Sequence, residues 1–173
     1  MPDPLELEVR KRIYDIICKY PGIHLRELQR QTGLATGSLD YHLHFMHKSG
    51  LIRAEKSGRF TRYYNSLQAF TDDEKSVIAI LRQDPLRHVI IFLLEKKIAN
   101  ATEISEATGM HPSNLSAYLK SLESSGIIQH KKKGRYRFYQ LKDRDAIIKY
   151  LVLHKKSFLD KLVDNFISNW VED

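Results

Sequence analysis

The chain contains an internal repeat, and this repeat constrains its fold more than any other feature. Shifted by 76 residues, the sequence aligns with itself without a gap over 41 pairs, from His24/Asn100 to Tyr64/Gln140. Twelve pairs are identical, whereas unrelated segments would share about two or three. A period this long that occurs twice predicts two copies of one small domain rather than a solenoid.

Each copy begins with three predicted helices. The first comes from VRKRIYDIICKY or LRHVIIFLLEKK, and in the second copy Asp84 is predicted as its N-cap, with Pro85 at the first helical position. The second helix is short and ends at Gly33 or Gly109, since glycine accepts the left-handed conformation of a tight turn. The third carries an inward stripe at helical spacing, composed of Leu39, His42, Leu43 and Met46 in the first copy and Leu115, Tyr118, Leu119 and Leu122 in the second.

Each third helix is followed by a segment with the pattern of a β-hairpin. LIRAEKSGRFTRYYN and IIQHKKKGRYRFYQL are β-rich runs around a glycine turn, with cationic tips. Three helices followed by a basic hairpin form a winged helix-turn-helix. The predicted fold class is mainly α with small β-hairpin wings (α+β): two winged helix-turn-helix domains in tandem plus a C-terminal amphipathic helix.

The repeat also predicts the domain boundaries. We assign residues 1–70 to the first winged domain, 71–84 to a helical connector, 85–142 to the second winged domain and 143–173 to a C-terminal helical segment. Thr71 and Glu74 have the spacing of a capping box at the start of the connector. The C-terminal segment is predicted to form one long helix or two. Its apolar residues recur at three- and four-residue steps. We expect this stripe either to cover its own core or to form a homodimer, through Leu151, Phe158, Leu162, Phe166 and Trp170.

Composition narrows the class of function. The formal net charge is +7 and the isoelectric point is about 9.4, which favours a polyanionic partner. The longest apolar run, Val89–Leu94, is far short of the roughly 20 residues of a membrane span. A cytoplasmic protein without a membrane partner is therefore expected. We find no phosphate-binding loop, dinucleotide fingerprint or zinc-protease motif, so we predict neither an enzyme nor a cofactor.

The segment SLDYHLHFMHKSGLI, followed by the basic hairpin GRFTRYY, resembles the ArsR/MarR-type winged-helix class. Two such copies in one short chain resemble the archaeal tandem winged helix-turn-helix transcriptional regulators. The resemblance covers about residues 8–142. It implies a sequence-specific transcriptional regulator that binds double-stranded DNA with its recognition helices in the major groove and its basic wings on the phosphate backbone.

Candidate DNA contacts follow from this geometry. In a helix-turn-helix, early residues of the third helix face base edges, and two such helices in one chain would fit neighbouring major grooves about 34 Å apart. The outward residues of the third helices are Thr36, Gly37, Ser38, Asp40, Tyr41 and His44, and Ser113, Asn114, Ser116 and Lys120. The basic residues of the wings are Lys56, Arg59 and Arg62, and Lys131, Lys132, Lys133, Arg135 and Arg137.

Two alternatives to DNA reading remain open at this point. The same fold serves as a protein–protein module of the basal transcription machinery, and some ArsR-type repressors respond to a ligand or a metal. Asp40, His44 and His47 share a helix face at i, i+4 and i+7, a spacing that suits a metal. Their counterparts Ser116, Lys120 and Glu123 favour DNA contact instead, so no metal is assigned. His42 lies on the inner stripe and is predicted to be a packed, hydrogen-bonded core residue.

Overall fold

A computed structural model describes residues 7–158 and 161–171 of the chain. The protein divides into two compact units, Met1–Lys75 and Ser76–Asp173, which we describe separately. The division falls within the segment that the sequence predicts as a helical connector. Within the described ranges, no helix combines the length and apolarity that crossing a membrane requires.

The first unit has the predicted order of three helices and a hairpin. Its elements are α1 (Glu8–Lys19), β1 (Ile23–His24), α2 (Leu25–Thr32), α3 (Thr36–Lys48), β2 (Ile52–Ser57) and β3 (Phe60–Asn65). The strands form an antiparallel sheet in the order β1-β3-β2, and the hairpin closes with Ser57 opposite Phe60. Its core is apolar and almost fully buried, with Ile13, Ile17, Leu28, Leu39 and Met46 at its centre.

The second unit repeats this order and adds helices. The connector helix α4 (Asp72–Leu81) begins in the first unit. It is followed by α5 (Asp84–Lys96), β4 (Ala99–Asn100), α6 (Ala101–Thr108), α7 (Pro112–Ser124), β5 (Ile128–Lys133), β6 (Tyr136–Leu141), α8 (Arg144–Leu153), α9 (Lys155–Phe158) and α10 (Lys161–Val171). The sheet order β4-β6-β5 matches that of the first unit. The repeat in sequence is thus a repeat in structure.

Local signals place the helix ends. Gly33 and Gly109 cap α2 and α6 with φ of 70° and 69°, so both predicted left-handed turns are confirmed. The predicted capping box of α4 is also confirmed: the Thr71 amide donates to Glu74 Oε2 at 2.8 Å, and the Glu74 amide donates to Thr71 Oγ1 at 3.2 Å.

The predicted N-cap of α5 is wrong by one residue. Gln83 holds that position, and the Asp84 side chain does not cap the helix. Asp84 Oδ1 instead accepts a hydrogen bond from Arg87 Nη2 at 2.6 Å, while Arg87 Nη1 donates to the Leu81 carbonyl at 2.7 Å. Arg87 is almost fully buried. Burying its charge without a carboxylate partner would cost more free energy than leaving the helix start without a side-chain cap.

The C-terminal segment is broken into separate helices and packs in part on its own unit. The helix α8 ends at Leu153 with His154 as its C-cap, and α10 packs against α5. Leu151, Val163 and Phe166 are buried, whereas Leu162 is 44% and Trp170 45% exposed. The predicted apolar stripe therefore splits into an inner set that covers the core and an outer set that does not.

Candidate nucleic-acid interface

The third helix of the first unit presents its predicted polar face to solvent. Leu39, Leu43 and Met46 are buried, whereas the predicted DNA-facing residues, Thr36, Gly37, Ser38, Asp40, Tyr41 and His44, are exposed. Tyr41 is the largest of them and is 62% exposed. Gln29 Nε2 on α2 donates to Thr36 Oγ1 at 3.0 Å, so a side-chain hydrogen bond joins the start of α3 to the preceding helix.

The third helix of the second unit has the same inside–outside division. Leu115, Leu119 and Leu122 are buried, and the predicted contact residues Ser113, Asn114, Ser116 and Lys120 are exposed. His111 caps α7, with its Nδ1 near both the Ser113 amide (3.4 Å) and Ser113 Oγ (2.8 Å). The sequence did not predict this cap, because histidine is not among the residues that commonly cap a helix start.

The two wings carry most of their predicted basic residues on the outside. Lys56 and Arg59 are exposed on the first wing, and the exposed cations of the second wing are Lys131, Lys132, Lys133, Arg135 and Arg137. Aromatic rings stand at equivalent places beside the wing arginines, with Phe60 41% and Tyr136 51% exposed. Phe60 stacks on His24 with ring centroids 5.1 Å apart, and the Arg135 guanidinium lies 5.8 Å from the Tyr136 ring centre.

Arg62, predicted as a DNA contact of the first wing, does not lie on the surface of that wing. Its side chain is buried, with the residue only 4% exposed, and Nη1 donates to the Gly22 carbonyl at 2.9 Å. Burial also lowers the pKa of Arg62 from its ordinary value. The next residue, Tyr63, belongs to the apolar core, so alternation along the strand places Arg62 on the opposite face, where it is still buried beside the paired strand β1. Its aligned partner Phe138 is also shielded in part.

Two more cations near the first wing bind groups within their own unit. Arg53 Nη2 donates to the Gln68 carbonyl at 2.7 Å. Lys75 Nζ lies 2.8 Å from a carboxylate oxygen of Glu55, which raises the pKa of Lys75. A count of basic residues in the sequence therefore overstates the charge that the first wing offers to a ligand.

The histidines of α3 separate into different environments. His42 is half-buried, and burial together with the charge of Arg10 lowers the pKa of its imidazole. Its Nδ1 atom is buried without a hydrogen-bond partner among the described residues. His47 Nδ1 lies 3.2 Å from the Ile52 carbonyl at the start of the wing.

No metal centre forms from the candidate residues. Across residues 7–158 and 161–171, no group of three or more His, Cys, Asp or Glu side chains is arranged to hold a metal ion. The structure therefore does not bring Asp40, His44 and His47 together as a site. In the second unit, the counterpart of His47, Glu123, instead pairs with His130 of β5 and so links the end of α7 to the wing.

Comparison with known families agrees with the two repeats. Residues 7–78 match a family model described as an N-terminal HTH domain. Residues 84–130 match the model of the bacterial regulatory protein, arsR family. The first match includes the helices α1–α3 and ends three residues beyond the first unit, and the second lies within the second unit and includes the helices α5–α7.

Individual relatives are more distant. An uncharacterized HTH-type transcriptional regulator of Methanocaldococcus jannaschii is 28% identical over 143 residues, which cover 83% of this chain and 35% of that protein. The chain thus spans about a third of the length of this curated relative.

Two of the similar solved structures match about half of the chain. HlyU from Vibrio cholerae has a TM-score of 0.43 and 19% identity, and covers 48% of this chain and 89% of its own. The homodimeric winged helix-turn-helix DNA-binding domain Mb0332 from Mycobacterium bovis has a TM-score of 0.43 and 24% identity, with 50% and 79% covered. On the family models and the fold of each unit, this chain carries two winged helix-turn-helix domains in tandem, the first matching an N-terminal HTH domain and the second the arsR family of regulatory proteins.

Proposed function

We propose that the chain is a transcriptional regulator that binds double-stranded DNA sequence-specifically. The observation that carries this proposal is that both units pair an exposed, polar third helix with a neighbouring basic hairpin. The net charge of +7 supports a polyanionic partner. We also propose that this role is one of binding rather than catalysis and that it is exercised in the cytoplasm.

The recognition helices supply the base contacts in this proposal. Early residues of such a helix approach base edges in the major groove, and small side chains such as Ser113 and Ser116 allow close approach. Asn114 is suited to a bidentate pair with adenine, and Asp40 to accepting from the amino group of cytosine. These contacts determine which sequence is bound.

The wings supply backbone contacts that position the helices. Lysine and arginine on phosphates carry no sequence information directly, but they release counterions and make the affinity fall with salt. The exposed cations of the second wing suit this role, and so do Lys56 and Arg59 of the first.

Selection from a random duplex library with the full chain tests the proposal. We expect a defined motif to be enriched, and Asn114→Ala to weaken binding to that motif by the equivalent of about 1–3 kcal/mol. Lys132→Ala is the matched comparison: it should weaken binding to every sequence alike. Enrichment of no motif at moderate salt would contradict specific readout and leave the protein–protein role on the transcription machinery as the better account.

We further propose that the outer part of the C-terminal stripe joins two chains into a homodimer. Leu153, Leu162 and Trp170 are exposed apolar side chains, and Leu153 lies at the end of α8 while the other two lie on α10. Trp170 stacks on the buried Phe166 with ring centroids 6.1 Å apart, which holds it as a rigid anchor of the kind that interfaces favour.

A further inference from the structure

We infer that the two domains hold the DNA backbone with different sets of elements: the first with its helix α2, through Arg26 and Arg30, in addition to its wing, and the second with its wing alone. The inference rests on the proposed DNA-binding function. It assigns a role to two arginines outside the recognition helices and wings. The internal repeat makes it testable, because every position from His24 to Tyr64 has a counterpart 76 residues later in the second domain.

The helix α2 offers a cationic face beside the recognition helix. Arg26 and Arg30 are four residues apart and therefore lie on one side of the helix, and both are exposed. Neither arginine has a salt-bridge or hydrogen-bond partner within the part of the chain that the structure describes. Gln29, between them, donates its hydrogen bond to Thr36 at the first turn of α3. This hydrogen bond places α2 beside the first turn of α3, the end that approaches the bases in the proposed function.

This position suits phosphate rather than base contact. In a helix-turn-helix the recognition helix enters the groove while the preceding helix crosses the backbone. Arginine presents a planar set of donors that matches a phosphate group in two places at once. Two such side chains on one exposed face add phosphate contacts to those of Lys56 and Arg59 on the first wing. Arg62 and Arg53 of that wing instead donate to carbonyl groups of their own unit.

The second domain has the opposite distribution of charge. Thr102 and Glu106 stand on α6 where α2 has Arg26 and Arg30, and Glu106 is an exposed carboxylate. The other acid of α6, Glu103, is held in the capping box with Asn100. A carboxylate at this place repels phosphate. The wing of the second domain, in contrast, has five exposed cations: Lys131, Lys132, Lys133, Arg135 and Arg137. None of these five cations has a carboxylate at salt-bridge distance among the described residues.

Salt dependence of the affinity for a random-sequence duplex tests the assignment in the full chain. The first variant is Arg26→Ala/Arg30→Ala, and Lys132→Ala/Arg135→Ala is its counterpart on the second wing. Each should reduce the slope of log affinity against log salt by about 1.8, since each phosphate contact contributes about 0.9. The charge-matched control, Lys11→Ala/Lys19→Ala on α1, should reduce it by less than about half a unit.

A gain-of-charge variant keeps the test independent of lost stability. Thr102→Arg/Glu106→Arg gives α6 the arginines of α2, and we expect it to steepen the salt dependence of the full chain by about two phosphate contacts. An equal fall in slope for the α1 control and the α2 variant would overturn the inference, and so would no steepening in the gain-of-charge variant. If the unmodified chain showed no salt-dependent binding to any duplex, the proposed function itself would fail, which is a separate result.

Discussion

At the scale of single residues, environment matters more than residue type, as Arg62 shows. Its place in a basic hairpin predicts a phosphate contact, but its guanidinium is buried and donates to the Gly22 carbonyl. A sequence pattern identifies the hairpin. Which side of the hairpin is covered depends on β1, a strand of two residues that is too short to leave a periodic pattern.

Removing Arg62 should therefore affect stability and not salt dependence. Arg62→Ala leaves a buried carbonyl without its charged donor, so we expect the free energy of unfolding to fall by about 2–3 kcal/mol, measured by denaturant titration. Arg59→Ala, at the exposed tip, should leave stability within about 0.5 kcal/mol and reduce the salt slope of DNA binding. The reverse pattern would show that Arg62 reaches the phosphates after all.

Two partly buried histidines should make the protein less stable in acid. Burial and a nearby arginine, Arg10 for His42 and Arg82 for His154, lower the pKa of each imidazole in the folded state. Below about pH 6.5 the unfolded chain then binds more protons than the folded chain, so the free energy of unfolding falls as the pH falls.

Chemical denaturation between pH 8 and pH 5 measures this effect. His42→Tyr, which installs the residue found at the equivalent position 118, should reduce the steepness of the fall, and adding His154→Phe should reduce it further. An unchanged slope in the double variant would show that other groups account for acid sensitivity.

At the scale of helices and strands, the sequence predicts most of the fold because its signals are local and occur twice. Helical periodicity, the glycine turns and the Thr71–Glu74 capping box each place an element correctly. The sequence does not predict which apolar residues of the C-terminal helices face the core. Their apolar stripe is continuous in sequence, and only packing against α5 separates an inner set from an outer set.

The cap of α6 should contribute to stability in a way that a matched substitution reveals. Asn100 Oδ1 accepts from the Glu103 amide at 3.0 Å, and Glu103 Oε2 accepts from the Asn100 amide at 2.7 Å. Asn100→Ala removes half of this capping box, and we expect a loss of about 1 kcal/mol in thermal or chemical unfolding. Asn100→Ser keeps a capping oxygen and should retain most of that stability, whereas equal losses for both variants would argue against a capping role.

At the scale of the whole molecule, the C-terminal stripe separates self-covering from dimerisation by the exposure of its members. Leu151 is fully buried, so Leu151→Ala should lower the free energy of unfolding by about 2–5 kcal/mol in a cavity-forming manner. Leu162 is 44% exposed, so a charged side chain at this position would remain in contact with solvent in a single chain and should not disrupt its fold.

Sedimentation equilibrium on the full chain then tests the homodimer. Leu162→Glu, combined with Trp170→Ala, should shift the mass from dimer to monomer because it places a carboxylate in the interface and removes its aromatic anchor. Lys149→Glu is a suitable control: it changes charge at an exposed position of α8 and should leave the mass unchanged. A monomeric mass for the unmodified chain at working concentration would show that the outer residues serve another purpose.

If the chain is a monomer, bivalent contact with DNA would depend on the two recognition helices of one chain alone. Footprinting would in that case show two protected major grooves per chain, about one helical turn apart, if both helices bind together.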